Sequence, residues 1–93
     1  MNTSGNWATA SNWSGNNIGD IVTETVSVTN NINPTVFSGS NYTIGTTTLN
    51  NNNTLTINSG GTLNIGNSST ASNITTNNNT VITVGGTLVI WGN

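Results

Sequence analysis

An internal repeat constrains the fold of this chain more than any other feature. Residues 51–67 and residues 77–93 both begin with Asn-Asn-Asn-Thr, continue with mostly apolar residues and reach Gly-Gly-Thr-Leu. The copies align 26 residues apart over the first motif and 25 apart over the second, which makes Ser59 the extra turn residue of the first copy. Because each copy must bury its apolar side against the next, the repeat predicts stacked β-coils.

The predicted fold is all-β: a short β-solenoid, similar to a parallel β-helix, with coils of roughly 25 residues. One domain spans residues 1–93, with an N-terminal cap at 1–19 and strand repeats at 20–93. Short apolar stretches alternate with turns rich in Asn or Gly, residues that accept left-handed backbone angles. Strands are predicted at 21–29, 35–37, 42–44, 46–49, 54–57, 62–65, 74–76, 80–84 and 87–91.

The alternation within these strands predicts which side chains form the core. We expect inward apolar columns from Leu55, Ile57, Leu63, Ile65, Leu88 and Ile90. We expect Thr residues of the same strands to face outward or to flank the turns. Identical Asn residues on successive coils are expected to pair amide to amide, as in stacked β-structures.

The composition favours a folded and self-associating chain. Asn (21), Thr (19), Gly (11) and Ser (10) supply 61 of the 93 residues, and Lys, Arg, His and Cys are all missing. Disorder usually combines low apolar content with high net charge, whereas Val, Ile, Leu and Phe supply 21 residues here and the net charge is only −2. A protein with so little charge has weak repulsion between its copies and tends to associate.

The same composition excludes most enzymatic and cofactor chemistry. Asp20 and Glu24 are the only acidic residues, and on one extended strand they would lie roughly 13 Å apart, beyond either glycosidase geometry. The many Ser and Thr hydroxyls have no His or Lys base to activate them. We therefore expect no catalytic residue, no cofactor and no metal site.

Two classes of partner are also excluded. Nucleic-acid binding depends on Lys and Arg, which are absent. No apolar run approaches the ~20 residues of a membrane span, so membrane insertion is not expected. The first residues show no basic start and no apolar run, so no signal peptide is visible.

Residues 1–19 form the predicted N-terminal cap. Trp7 and Trp13 stand six positions apart in a stretch rich in Gly, Asn and Ser. Their indole rings are expected to cover the first coil, which otherwise exposes apolar side chains and strand edges. The alternative is a platform on which sugars stack.

The C-terminal strand predicts an assembly interface. Leu88, Val89, Ile90 and Trp91 are consecutive, so both faces of this strand are apolar where a solenoid normally ends in polar residues. The expected cover is the first coil of the next copy, with Trp7 and Trp13, in a head-to-tail contact, or a two- or three-fold bundle. Packing of one face inside the same subunit is the alternative.

Several of these segments carry a resemblance to a known class of protein. Gly5-Asn6-Trp7, Asn12-Trp13-Ser14-Gly15, Gly19-Asp20-Ile21-Val22 and the Thr-Leu-Thr-Ile-Asn-Ser-Gly-Gly-Thr-Leu repeat resemble the β-solenoid segments of Bacteroidota surface and adhesin-like proteins. Similar stacks occur in phage spikes. The resemblance implies a structural role for Asp20, which would brace the turn that enters the first strand.

These observations predict a non-enzymatic structural protein whose main partner is itself. We expect a homo-oligomer or filament that forms a spike or fibre on a virion or cell surface, in an extracellular location. The alternative is an adhesin module that binds a host surface glycan or receptor. Ice binding is less favoured, because the Thr-X-Thr segments do not recur at one constant interval.

Overall fold

In the computed structural model, which describes residues 1–16 and 18–92, the chain winds into the predicted β-solenoid. Its secondary structure is nearly all β, with two single 3₁₀ turns at Ala10–Asn12 and Ser14–Asn16. The strands are β1 (Gly5–Asn6), β2 (Val26–Val28), β3 (Pro34–Val36), β4 (Asn41–Ile44), β5 (Thr47–Leu49), β6 (Thr54–Ile57), β7 (Thr62–Ile65), β8 (Ile74–Thr76), β9 (Val81–Val84) and β10 (Thr87–Ile90).

Three strands complete one turn of the solenoid, which we call a rung. Rung 1 consists of β2, β3 and β4; rung 2 of β5, β6 and β7; and rung 3 of β8, β9 and β10. Corresponding strands of successive rungs pair in parallel and form three sheets, which we call A (β1-β3-β6-β9), B (β2-β5-β8) and C (β4-β7-β10).

The core lies between the three sheets and is built from columns of inward side chains. Leu55 and Ile57 on sheet A and Leu63 and Ile65 on sheet C are fully buried, as the alternation predicts. Leu88 and Ile90 continue the last two columns, since they pair with Leu63 and Ile65. The predicted apolar columns are therefore confirmed.

One register inferred from the repeat is wrong by a residue. Thr54 pairs with Val81 and not with Thr80, so the interval in sheet A is 27 residues. This register pairs Ile82 with Leu55. An interval of 26 would have paired Val81 with Leu55 and exchanged the inward and outward side chains of β9. The Gly-Gly-Thr-Leu alignment is confirmed by the pairing of Thr62 with Thr87, so the second copy lacks two turn residues and not one.

Asn residues shape one corner of the solenoid on every rung. Asn31, Asn52 and Asn79 have φ values of 63, 61 and 58°, in the left-handed region. The Asn79 side-chain amide donates to Oδ1 of Asn52 at 3.1 Å, and the Asn77 amide donates to Oδ1 of Asn50 at 3.4 Å. The predicted Asn ladder is thus confirmed, and these Asn residues combine a backbone role with a contact between rungs.

The first predicted strand is only partly a strand. Residues 26–28 form β2, but residues 22 and 23 lie in a turn in which the Glu24 N–H donates to the Ile21 carbonyl at 2.9 Å. The apolar alternation of residues 21–25 therefore does not continue the sheet. The remaining predicted strands agree with the observed ones to within a residue at each end.

The N-terminal cap predicted from Trp7 and Trp13 is present and closes rung 1. In the structure it extends beyond the predicted residue 19 and comprises the described residues before β2, 1–16 and 18–25. Trp7 is fully buried and Trp13 is 6% exposed, with their ring centroids 4.8 Å apart in an edge-to-face arrangement. Trp7 also stacks on Tyr42 of β4, with centroids 6.2 Å apart. Both indole N–H groups are satisfied within the chain: Trp7 donates to the Gly19 carbonyl at 2.7 Å and Trp13 to the Trp7 carbonyl at 2.8 Å.

Candidate functional site: the open end of the solenoid

Rung 3 leaves three strand edges without a neighbouring strand in the described part of the chain. Alternate residues of its strands direct backbone groups at rung 2: the Val81 N–H donates to the Asn53 carbonyl and the Thr87 N–H to the Gly61 carbonyl, both at 3.0 Å. Because backbone groups alternate in direction along a strand, the intervening residues direct theirs away from rung 2. These residues are Ile74, Thr76, Ile82, Val84, Leu88 and Ile90, which we call the open end.

The side chains of the open end continue the core columns but lack a cover. Ile57 and Ile65 of rung 2 are fully buried, whereas Val84 and Ile90, which pair with them in rung 3, are each 46% exposed. The chemistry of the two rungs is nearly the same, so the difference arises from the missing neighbour. The open end therefore combines free backbone donors and acceptors with apolar surface, the two features that make an edge strand prone to pair with another chain.

The predicted interface residues Leu88, Val89, Ile90 and Trp91 separate into two groups. Leu88 and Ile90 belong to the open end. Val89 pairs with Asn64, an outward position of sheet C, and is partly buried. Trp91 follows β10, is 44% exposed, and donates its backbone N–H to the Ile65 carbonyl at 2.9 Å.

Trp7 and Trp13, the other two predicted interface residues, lie at the opposite end of the solenoid. Their side chains are buried within the chain itself, and both indole N–H groups are bonded there. They pack against the first rung of their own chain, where the core cluster includes Val26 and Val28. A head-to-tail contact built on exposed Trp rings is therefore not available.

The turn that leads toward the first strand is braced by Glu24. Its Oε1 atom accepts the backbone N–H of Ile21 at 3.1 Å and that of Asp20 at 3.4 Å. The bracing carboxylate was predicted to be that of Asp20, which instead contributes its backbone N–H. The two acids lie on either side of this turn and not on one extended strand, the condition for which the separation of roughly 13 Å was given.

The sequence interpretation missed four of the six residues of the open end, Thr76 among them. Ile74, Ile82 and Val84 lie in β8 and β9 and are as uncovered as the C-terminal strand. The prediction concentrated on Leu88–Trp91 because four consecutive apolar residues stand out from the alternation. A signal for the others exists: residues of the second repeat copy occupy core positions, and the 93 residues contain no third copy.

Polar columns line the outward faces of the sheets. Thr35, Thr56 and Thr83 lie in register on sheet A, and Ser27, Thr48 and Thr75 do so on sheet B. Neighbouring residues of a column are separated by the strand spacing of about 4.8 Å. The sequence concealed this order, because the loops between the strands differ in length from rung to rung.

A small cleft lies beside the N-terminal cap. It measures about 220 Å³, and its lining includes Met1, Trp13, Glu24 and Ser27. The Met1 ammonium donates to the Ser27 carbonyl at 2.6 Å, and burial lowers the pKa of this amine. The cleft is smaller than the roughly 300–1,000 Å³ typical of ligand sites, so it is a weak candidate.

No group of three or more His, Cys, Asp and Glu side chains stands close enough to hold a metal ion among residues 1–16 and 18–92. Over the same ranges, no helix has the length and apolar character needed to cross a membrane.

Comparison with known proteins adds no relative. The chain matches no protein-family description, no curated protein and no solved structure.

Proposed function

We propose that this protein is a non-enzymatic structural unit that assembles with copies of itself through the open end of its solenoid. The observation that supports the proposal is the contrast between Ile65, fully buried, and Ile90, 46% exposed in the same column. A contact that covers Ile90 would bury apolar surface worth about 25 cal/mol per Å² and would pair the free strand edges.

The composition agrees with an assembly exposed outside the cell, as a spike or fibre on a virion or cell surface. The chain has no Lys or Arg, so trypsin-like proteases find no cleavage site. Its surface is dominated by Asn, Thr, Ser and Gly and bears two acidic side chains, so electrostatic repulsion between copies is small.

Sedimentation equilibrium over a wide concentration range tests the proposal. The wild-type chain should rise from the mass of one 9.6 kDa chain to a multiple of it as concentration increases. Ile90→Asp should abolish this rise, because it places a charge in the contact. A wild-type chain that remains monomeric at all accessible concentrations would overturn the proposal.

Two matched controls separate the interface from general surface hydrophobicity. Ile21 is 53% exposed in the cap, so Ile21→Asp should leave association unchanged. Phe37 and Trp91 are both 44% exposed, and only Trp91 lies next to the open end. Trp91→Ser should weaken association while Phe37→Ser should not, and circular dichroism should show that both variants keep their strands.

A second candidate function is recognition of a host glycan or receptor. It is favoured by the outward column of Thr35, Thr56 and Thr83, which presents hydroxyl groups at the regular spacing of the rungs. A monomeric chain that binds specific glycans on an array, and loses them in Thr56→Val, would favour this function. Ice binding is less favoured, because the neighbouring outward column of sheet A does not repeat its hydroxyl groups. In that column Thr54 pairs with Val81.

A further inference from the structure

The two ends of the solenoid differ in what they can offer a second copy. At the N-terminal end, the inward residues Val28, Val36 and Ile44 of rung 1 are fully buried, although no complete rung precedes them. Met1, Trp7 and Trp13 cover them and are themselves at most 6% exposed. The N-terminal end is therefore already closed by the chain's own cap.

Two of the three strand edges of rung 1 are also occupied, those of sheets A and B. β1 pairs with β3 on sheet A. On sheet B, the Met1 ammonium donates to the Ser27 carbonyl and the Thr29 N–H donates to the Met1 carbonyl at 3.0 Å. On sheet C, β4 has no strand beyond it in the described part of the chain, and the Trp7 ring of the cap stacks on Tyr42 of that strand. A head-to-tail contact would have to displace these elements.

The charged side chains are also placed at one end. Asp20 and Glu24 both lie in the cap, before β2. Contact between two caps would bring four side-chain carboxylates together, whereas contact between two open ends brings together no charged side chain of residues 1–16 and 18–92. The open end of a second copy can therefore cover the open end without repulsion between charged side chains.

Strand direction agrees with this choice. A two-fold axis perpendicular to the solenoid axis reverses the direction in which the second chain runs around each rung. The edges of rung 3 then meet as antiparallel strands, whose hydrogen bonds run straight between facing residues. Parallel pairing would instead need free edges at the N-terminal end, and the cap occupies those of sheets A and B.

We propose, taking self-association through the open end as the proposed function, that two copies join open end to open end about a two-fold axis. One sheet continues by pairing its rung 3 strand with the same strand of the second copy. The other two sheets continue by pairing with each other. Both open ends are consumed, so assembly stops at two copies.

Cysteine cross-linking tests this arrangement, because the chain has no Cys of its own. We choose outward positions in rung 3, so that the core is unchanged: Thr75→Cys in β8, Thr83→Cys in β9 and Val89→Cys in β10. Facing residues of paired strands have Cβ atoms about 4.5–5.5 Å apart, within reach of a disulfide. One of the three single variants should form a linked dimer by itself, and the other two should link when mixed.

Thr43→Cys is the matched control, because Thr43 lies in the same column as Val89 but in rung 1. Association raises the local thiol concentration from micromolar to millimolar, so the self-linking variant should react roughly a hundredfold faster than Thr43→Cys or more. Rapid linking of Thr43→Cys to Val89→Cys in a mixture would instead indicate head-to-tail contact and would overturn the two-fold pair.

The mass of the wild-type chain distinguishes the two levels of the hypothesis. A mass that increases with concentration and stops at two copies supports the closed pair. Growth beyond two copies with head-to-tail cross-links overturns the pair and leaves self-association intact. A wild-type chain that stays monomeric overturns both, whatever the cysteine variants do.

Discussion

Truncation of two isoleucines in one core column gives the sharpest test of the open end. Ile65 and Ile90 pair in neighbouring rungs of sheet C, and both side chains point into the core. Ile65 is fully buried and Ile90 is 46% exposed. Replacement of each by Ala removes the same atoms, so any difference in the free energy of unfolding reflects the cover that rung 3 lacks.

The expected magnitudes follow from burial. Ile65→Ala loses about 2.4 kcal/mol of transfer free energy at ~0.8 kcal/mol per methylene, plus a cavity term, for a total of roughly 3–4 kcal/mol. Ile90→Ala loses only the buried half of that transfer term and leaves no closed cavity, so about 1 kcal/mol is expected. The difference of about 2 kcal/mol corresponds to roughly 1–2 M in the urea midpoint.

Urea denaturation followed by circular dichroism measures both values. At concentrations where the chain is monomeric, Ile65→Ala should be the more damaging substitution. As concentration rises, the cost of Ile90→Ala should increase because it weakens association, while that of Ile65→Ala should stay constant. Equal costs at low concentration would refute the assignment of Ile90 to an uncovered end.

Three further predictions concern the turns and the N-terminus. Gly86→Ala should lose about 1–3 kcal/mol of stability in urea denaturation, because its Cβ atom would lie 2.3 Å from the Gly61 carbonyl oxygen; Gly85→Ala, whose nearest contact is 3.3 Å, is the control. Asn79→Ala should cost about 1–2 kcal/mol through its left-handed φ of 58° and the lost amide bond, and Asn79→Gly should cost less. Burial lowers the pKa of the Met1 amine in the folded chain, so as pH falls the unfolded chain binds this proton first. The urea midpoint should therefore increase as pH rises to about 8. N-terminal acetylation should remove this pH dependence.

The fold could be predicted because each rung repeats the same local sequence pattern. Leu55, Ile57, Leu63 and Ile65 alternate with polar residues at a period of two, and Asn or Gly marks the turns between strands. These signals fix strand type and core face locally. The cap could be predicted too, because large aromatic side chains in a polar segment require apolar partners.

The remaining features depend on strand registers and contacts that the sequence pattern alone does not specify. The interval of 27 residues in sheet A depends on Asn79, and not Asn78, taking the left-handed angle. Alternation in residues 21–25 resembles a strand, but the Glu24 carboxylate accepts the N–H groups of its own turn. Assignment of the open end to Ile82 and Val84 required knowledge of which strands pair on one side only in the described part of the chain.

Amide hydrogen exchange measured at two concentrations tests the central claim most directly. In the dilute monomer, the amides of Ile82 and Leu88 should exchange rapidly, because they point away from rung 2, while those of Val81 and Thr87 should be protected by their bonds to it. At concentrations where the chain associates, the open-end amides should become protected as well. Exchange of Ile82 and Leu88 that is equally fast at both concentrations, or already slow in the monomer, would contradict an open end that a second copy covers.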